Sequence, residues 1–190
     1  MGWAMRIIGG KLRGREVEAP RGLLSRPPLS IIREAVFDII GEAIEGKTVL
    51  DLFAGSGSLG IEALSRGAGQ VHFVDSARRC IEMLEHNTRN LDLDDHSRIT
   101  RQDAVEFVRT WKGGAFDIVF VDPPFLSGKV GEVLSGLAGT ALVSDRTLIV
   151  ARVHWREQVS PPQDLHITRK RKFGDSLVLF IRRPRQGTCQ

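Results

Sequence analysis

From residue 47 to residue 152 the chain alternates short, nearly unbroken apolar runs with longer stretches in which apolar positions recur three or four residues apart. The runs KTVLDLFA (47–54), QVHFVD (70–75), SRIT (97–100), FDIVFVD (116–122) and RTLIVAR (146–152) predict strands, SRIT being the weakest. Between them, GSLGIEALSRGA (57–68), ARRCIEMLEHNTRNL (77–91), AVEFVRTW (104–111) and a stretch near 129–138 have the spacing of helices, the first closed by Gly67. Strands separated by helices of this length imply βαβ units and a parallel sheet covered on both faces. Two further runs, DLHITRKRKF and SLVLFIRR, are joined by a glycine turn and read as an antiparallel pair. Ahead of this core, MRIIGGKLRGREVEAP predicts two short strands around a basic loop, and RGLLSRPP an irregular linker. LSIIREAVFDIIGEAI then predicts a helix with apolar residues at 32, 36, 39, 40 and 44. The domain reading is therefore a basic hairpin-and-helix extension over 1–45 and a main domain over 46–190.

Composition narrows the class. At 190 residues the chain holds one ordinary domain with small appendages. No apolar run reaches membrane-spanning length and the first residues lack a signal-peptide pattern, so a soluble, cytoplasmic protein without a membrane partner is expected. Cys80 and Cys189 suggest no disulfide framework, and the five histidines show no ligand spacing, so no metal is expected. The net charge of +4 is segregated: residues 1–35 sum to +4, residues 36–145 to −7 and residues 146–190 to +7. Two basic ends around an acidic middle fit either solvated charge or a docked polyanion.

Three features carry chemistry. DLFAGSGSLG places Gly55, Gly57 and Gly60 directly after a strand and at the mouth of a helix. The backbone of Phe53, Ala54, Gly55, Ser56 and Gly57 is then a candidate cradle, and its ligand is a dinucleotide, an adenosyl cofactor or, for a plain turn, nothing. Asp75, ending the next strand beside Ser76, can accept the hydroxyls of an adenosine ribose. Asp51 favours a ligand bearing an ammonium group over a pyrophosphate, because a carboxylate repels the latter. Asp103, followed by Ala104, is placed either for an adenine amino group or as a helix cap.

The third feature is Asp122-Pro123-Pro124-Phe125 at the end of a strand. Alone it is either a strand-ending turn or a site. Downstream of the glycine loop it has a chemical use: a carboxylate and a carbonyl stiffened by two prolines accept the two N–H groups of a poorly nucleophilic amine, and Phe125 stacks on its planar base. An exposed Asp122 of ordinary pKa is expected to orient the amine more than to take its proton.

Taken together, RIIGGKLRGR, RP followed by REAVFDII, VLDLFAGSGSLGIEALSRGA, VDPPF and FGDSLVLF resemble the bacterial RsmD family, the 16S ribosomal RNA guanine-N2 methyltransferases. The resemblance spans about residues 6 to 183 and implies a Rossmann-like class I methyltransferase fold: a mostly parallel seven-stranded sheet, helices on both faces and an antiparallel C-terminal strand. It implies methyl transfer from S-adenosyl-L-methionine, leaving S-adenosyl-L-homocysteine, to one guanine of 16S rRNA, within an assembling 30S particle and by a monomer. On this resemblance the cofactor contacts are Asp51, Phe53, Ala54, Gly55, Ser56, Gly57, Gly60, Asp75, Ser76, Asp103 and Ala104, and Asp122 to Phe125 clamp the target base. Arg6, Lys11, Arg13, Arg15 and Arg26 would meet RNA phosphates. The chain departs from the family pattern at residues 28–31, where no contact is assigned. The same chemistry on adenine N6 or a glutamine amide, and a non-catalytic RNA-binding role, are the other readings.

Overall fold

The apolar runs at the centre of the chain form strands because both faces of the sheet they build are covered. In the computed structural model, which describes residues 3–19 and 29–184, β3 (Thr48–Leu52), β4 (Gln70–Asp75) and β6 (Ile118–Val121) are buried along almost their whole length. Such runs belong to parallel strands under helices rather than to strands with one wet face. They join β5 (Ser97–Arg101), β7 (Leu148–His154), β8 (His166–Phe173) and β9 (Ser176–Arg182) in a seven-stranded, mostly parallel sheet of order β5-β4-β3-β6-β7-β9-β8. β3 and β4, β4 and β5, and β6 and β7 pair in parallel; β9 runs antiparallel to both β7 and β8. This is the expected Rossmann-like methyltransferase architecture with its antiparallel C-terminal strand.

The chain divides into two compact units, residues 1–103 and 104–190. The first contains a separate antiparallel hairpin, β1 (Trp3–Arg6) with β2 (Glu16–Ala19), then α1 (Leu29–Ile40), α2 (Ser58–Ser65) and α3 (Arg78–Asn90) around β3, β4 and β5. The second contains α4 (Ala104–Thr110) and α5 (Lys129–Leu137) with β6 to β9. The helix expected over 29–44 ends at Ile40, and the remaining four residues form a tighter 3-10 turn. Gly41, at φ +57°, lies outside the helical region and explains the break. Ile32, Val36, Ile40 and Ile44 are buried as expected, but Ile39 is only half-buried, and Arg33 and Phe37 take places in the interior. The strand expected at 146–152 begins at Leu148 because Thr147 is drawn into a turn: its hydroxyl donates to the Phe116 carbonyl at 2.7 Å and accepts the Ser144 N–H at 2.9 Å. Among the described residues no helix is long and apolar enough to cross a membrane.

One buried polar residue gives the first unit a pH dependence. His72 on β4 is sealed in the sheet, with Nε2 2.8 Å from the Thr100 hydroxyl. Burial, reinforced by Arg98, lowers its pKa from 6.5 to about 4. The folded protein thus holds His72 neutral, and that preference stabilises the fold fully above pH 6.5 and is lost as pH falls through about 4. Chemical denaturation between these limits should show stability falling by up to about 1.4 kcal/mol per pH unit from this residue alone. In His72→Gln the same interval should be flatter by that amount; an unchanged slope would mean that the imidazole is not held neutral.

Candidate active site

The glycine loop is built from the end of β3 outward. Phe53, the first residue past the strand, has φ +65°, a conformation rare outside glycine, and the chain then turns through Ala54, whose N–H donates to the Val74 carbonyl at 3.0 Å. Gly55 also has positive φ, +58°, and a side chain added there would meet only the Phe53 carbonyl oxygen, 4.0 Å away. Space for a ligand therefore lies directly over this backbone. Gly60 serves the opposite need: a Cβ there would come within 2.1 Å of the Phe73 ring, so the glycine lets α2 press onto β4.

Carboxylates hold this loop by its amides. Asp75 Oδ2 accepts the Gly55 N–H at 2.9 Å, and its Oδ1 accepts the Ala77 N–H at 2.9 Å ahead of α3. Asp51 is only 2% exposed and accepts the Gly60 N–H at 2.9 Å. Each carboxylate oxygen has more than one lone pair, so the two bonds to Asp75 leave it acceptor capacity for a ligand. Ser56 is buried, and its carbonyl accepts from Asn87 Nδ2 at 3.0 Å; Asn87 also exchanges two hydrogen bonds with the backbone of Glu18. Asn87, absent from the sequence-based site, thus ties the loop to the N-terminal hairpin. Ser76 is exposed, Asp103 stands half-buried immediately before α4, and Ala104 is buried as its first residue.

A buried ion pair fixes the basic loop on the same unit. Glu62 of α2 accepts the N–H groups of Ile8 and Gly9 at 2.9 and 2.8 Å, and pairs with Arg33 at 3.3 Å and Arg66 at 2.8 Å. Burial pushes the Arg33 guanidinium pKa down, against the pull of Glu62. The loop's cations stay outside: Arg6, Lys11, Arg13 and Arg15 are exposed, Arg6 facing Glu16 at 3.6 Å and Arg15 donating to the Asn90 carbonyl at 2.9 Å. Arg26 lies outside the described residues.

In the second unit, Asp122 follows β6 and departs from expectation. Its side chain is only 22% exposed, and burial raises its pKa above the ordinary value. The opposing influence is Arg152 on β7, whose Nε donates to Asp122 Oδ1 at 2.6 Å. The exposed, ordinary aspartate read from sequence is therefore corrected: the group is desolvated and held by a cation thirty residues away. Pro123 is buried and Pro124 exposed. Phe125 lies under the same guanidinium, 4.5 Å from its centroid, and meets the His154 ring edge-on at 5.7 Å. Leu126, next along, is 67% exposed with φ +58°. Arg152 and His154 were not anticipated, since nothing in local spacing marks a strand residue as the partner of a motif so distant.

Two consequences are measurable. A raised pKa means that the fold favours neutral Asp122; its stabilising effect is present at low pH and lost as pH rises through the folded pKa. Asp122→Asn should accordingly be more stable than the parent at pH 7 in thermal unfolding, with the advantage shrinking toward pH 4, whereas an equal loss at all pH values would refute the burial effect. Glu62→Ala should cost about 3–5 kcal/mol in denaturant unfolding, because it strands a buried guanidinium and two amides. A cost below about 1 kcal/mol would place the pair among surface ion pairs.

Known proteins resemble this chain over most of its length. A family described as "Conserved hypothetical protein 95" matches residues 5–182. The chain is 32% identical to "Ribosomal RNA small subunit methyltransferase D" of Escherichia coli strain K12, over 96% of this chain and 92% of that protein. It is 36% identical to "Putative rRNA methyltransferase YlbH" of Bacillus subtilis, over 90% and 94%. The solved structure of "Putative methyltransferase yhhF from Escherichia coli" superposes with a TM-score of 0.86 at 31% identity, covering 97% of this chain and all of that one. By its match over residues 5–182 and its identity to these relatives, the chain belongs to the RsmD family of methyltransferases.

Proposed function

We propose that this protein transfers the methyl group of S-adenosyl-L-methionine to the exocyclic N2 amine of one guanine in 16S rRNA of the small ribosomal subunit. The observation that carries the reading is the Asp122-Phe125 turn, a desolvated carboxylate fixed by Arg152 beside a half-buried aromatic ring. The family supplies the chemistry, and the names of the relatives supply the RNA.

The residues of the first unit suit the cofactor. Space over Gly55 accommodates an adenosyl ligand, the remaining acceptor capacity of Asp75 suits ribose hydroxyls, and Asp51, a carboxylate beneath the loop, favours the cofactor's ammonium. Backbone of Phe53 to Gly57, Gly60, Ser76, Asp103 and Ala104 completes the proposed contact set. When bound, the cofactor supplies an electrophilic methyl on a sulfonium.

What the chain does is prepare the nucleophile. The lone pair of a guanine N2 is delocalised into the ring. With Oδ1 of Asp122 engaged by Arg152, Oδ2 accepts one amine N–H and a backbone carbonyl of the proline turn accepts the other, turning the lone pair toward the methyl group. Phe125 stacks on the base. After transfer, the amine proton leaves to water or to Asp122, whose desolvation makes it a stronger base than a surface aspartate. Residues 1–45 act as an RNA-binding extension of the 46–190 methyltransferase domain, with Arg6, Lys11, Arg13, Arg15 and Arg26 on phosphates. The protein works as a cytoplasmic monomer on an assembling 30S particle.

Incubation with labelled S-adenosylmethionine and 30S subunits from a strain lacking the endogenous enzyme should give labelled N2-methylguanine in 16S rRNA. Its absence would overturn the proposal. Asp122→Ala should lower kcat about 100-fold or more, the scale of losing one preorganised polar contact to the reacting group, and Asp122→Asn should lower it less. Equal losses would contradict an orienting role.

A further inference from the structure

Beyond the target turn, the second unit carries an aromatic and cationic surface that the reaction does not use. His154 meets both Phe125 and Trp155, whose ring lies 6.2 Å away and tilted by 31°. Trp155 is 41% exposed, at the turn after β7, and its backbone is pinned there by an N–H bond to the Asp175 carbonyl at 2.9 Å. Two cations flank its ring: Lys172 Nζ at 4.2 Å and Arg156 Cζ at 5.0 Å from the centroid. Lys172 ends a run of four exposed cations, Arg169 to Lys172, on β8, the terminal strand of the sheet. Register carries the charge back toward the target turn. Val178 pairs with Arg152 on one side and Arg171 on the other, so the two guanidinium-bearing positions share a face about 10 Å apart, two strand spacings.

Edge strands are often charged simply to prevent pairing with another sheet. That need explains cations on β8. It does not explain a large ring left half in water beside Lys172 and Arg156 and continuous, through His154, with the ring of the target turn. Asp175 and Glu157 are the acids on the neighbouring turns, and none of Arg156 or Arg169 to Lys172 is ion-paired to a carboxylate among the described residues. A base has a planar face for the ring and each nucleotide brings one phosphate for the cations; single-strand binders combine the same two elements.

We infer that Trp155, with Arg156 and Lys172, is a stacking platform for an unpaired nucleotide next to the methylated base, and that the cations of β8, Arg171 among them, hold the RNA strand along that edge. This rests on the RNA reading above and extends it to the basic C-terminal end. The platform contributes to substrate binding and leaves cofactor binding alone.

The test isolates Trp155 as the sole tryptophan by Trp3→Phe and Trp111→Phe. Titration with a single-stranded, mixed-sequence oligoribonucleotide of about ten nucleotides should quench its emission, since site sizes of such surfaces run to about 4–16 nucleotides. With 30S subunits as substrate, Trp155→Ala should raise KM about tenfold with kcat and S-adenosylhomocysteine affinity unchanged, and Trp155→Phe should restore most of the loss. Arg171→Ser with Lys172→Ser should flatten the plot of log affinity against log salt by between one and two, the slope of two lost phosphate contacts. Unchanged emission while the oligonucleotide binds, or an unchanged KM in Trp155→Ala, overturns the platform. If the parent protein methylates no RNA at all, the preceding proposal fails instead, and the emission titration still decides the platform.

Discussion

A parallel strand that ends in a glycine loop leaves backbone amides to be satisfied, and in this protein carboxylates of β3 and β4 keep that loop in shape. Asp51, sealed from water, accepts from Gly60 at the first turn of α2, and Asp75 accepts from Gly55 and Ala77. A buried charge is tolerated only where hydrogen bonds replace its water. The same bonds therefore satisfy the acids and fix the loop. Glu62 repeats the arrangement one turn further along α2, where it holds the amides of Ile8 and Gly9 and offsets Arg33. Acids thus organise the interior of the first unit, where Arg33 is the buried cation they offset, while Arg6, Lys11, Arg13 and Arg15 stay on the surface.

In the second unit the relation is reversed, with a cation positioning the acid of the Asp-Pro-Pro-Phe turn. Arg152 meets Asp122 through its edge and Phe125 through its face, which a planar guanidinium can do and an ammonium cannot do as well. One side chain from β7 therefore sets both the orientation of the carboxylate and the seat of the ring. The raised pKa of Asp122 shows that Arg152 does not fully offset the loss of water.

Much of this was legible in the sequence where the cause is local. The strands at 48–52, 70–75 and 118–121 were visible because burial on both faces leaves unbroken apolar runs, and the glycine loop because its turn demands particular residues at fixed spacing. Boundaries moved where a single residue intervened, as at Gly41 and Thr147. What stayed hidden were pairings made by the fold. Arg33 stands in a helix pattern as an ordinary exposed cation, yet its partner Glu62 lies on another helix. Arg152 and Asp122, or Asn87 and Glu18, come together only once strands and helices are placed. The burial of Asp122 was missed for the same reason, since desolvation is a property of neighbours and not of the motif.

The glycines of the loop differ in what holds them as glycine. Gly55 faces open space, and its left-handed backbone is one that asparagine or aspartate also visits, so the fold alone would accommodate either. Gly60 is held by the Phe73 ring, and any replacement would force α2 off β4 whether or not a cofactor ever binds. Packing alone therefore fixes the third glycine, whereas the surroundings of the first constrain only its backbone angle.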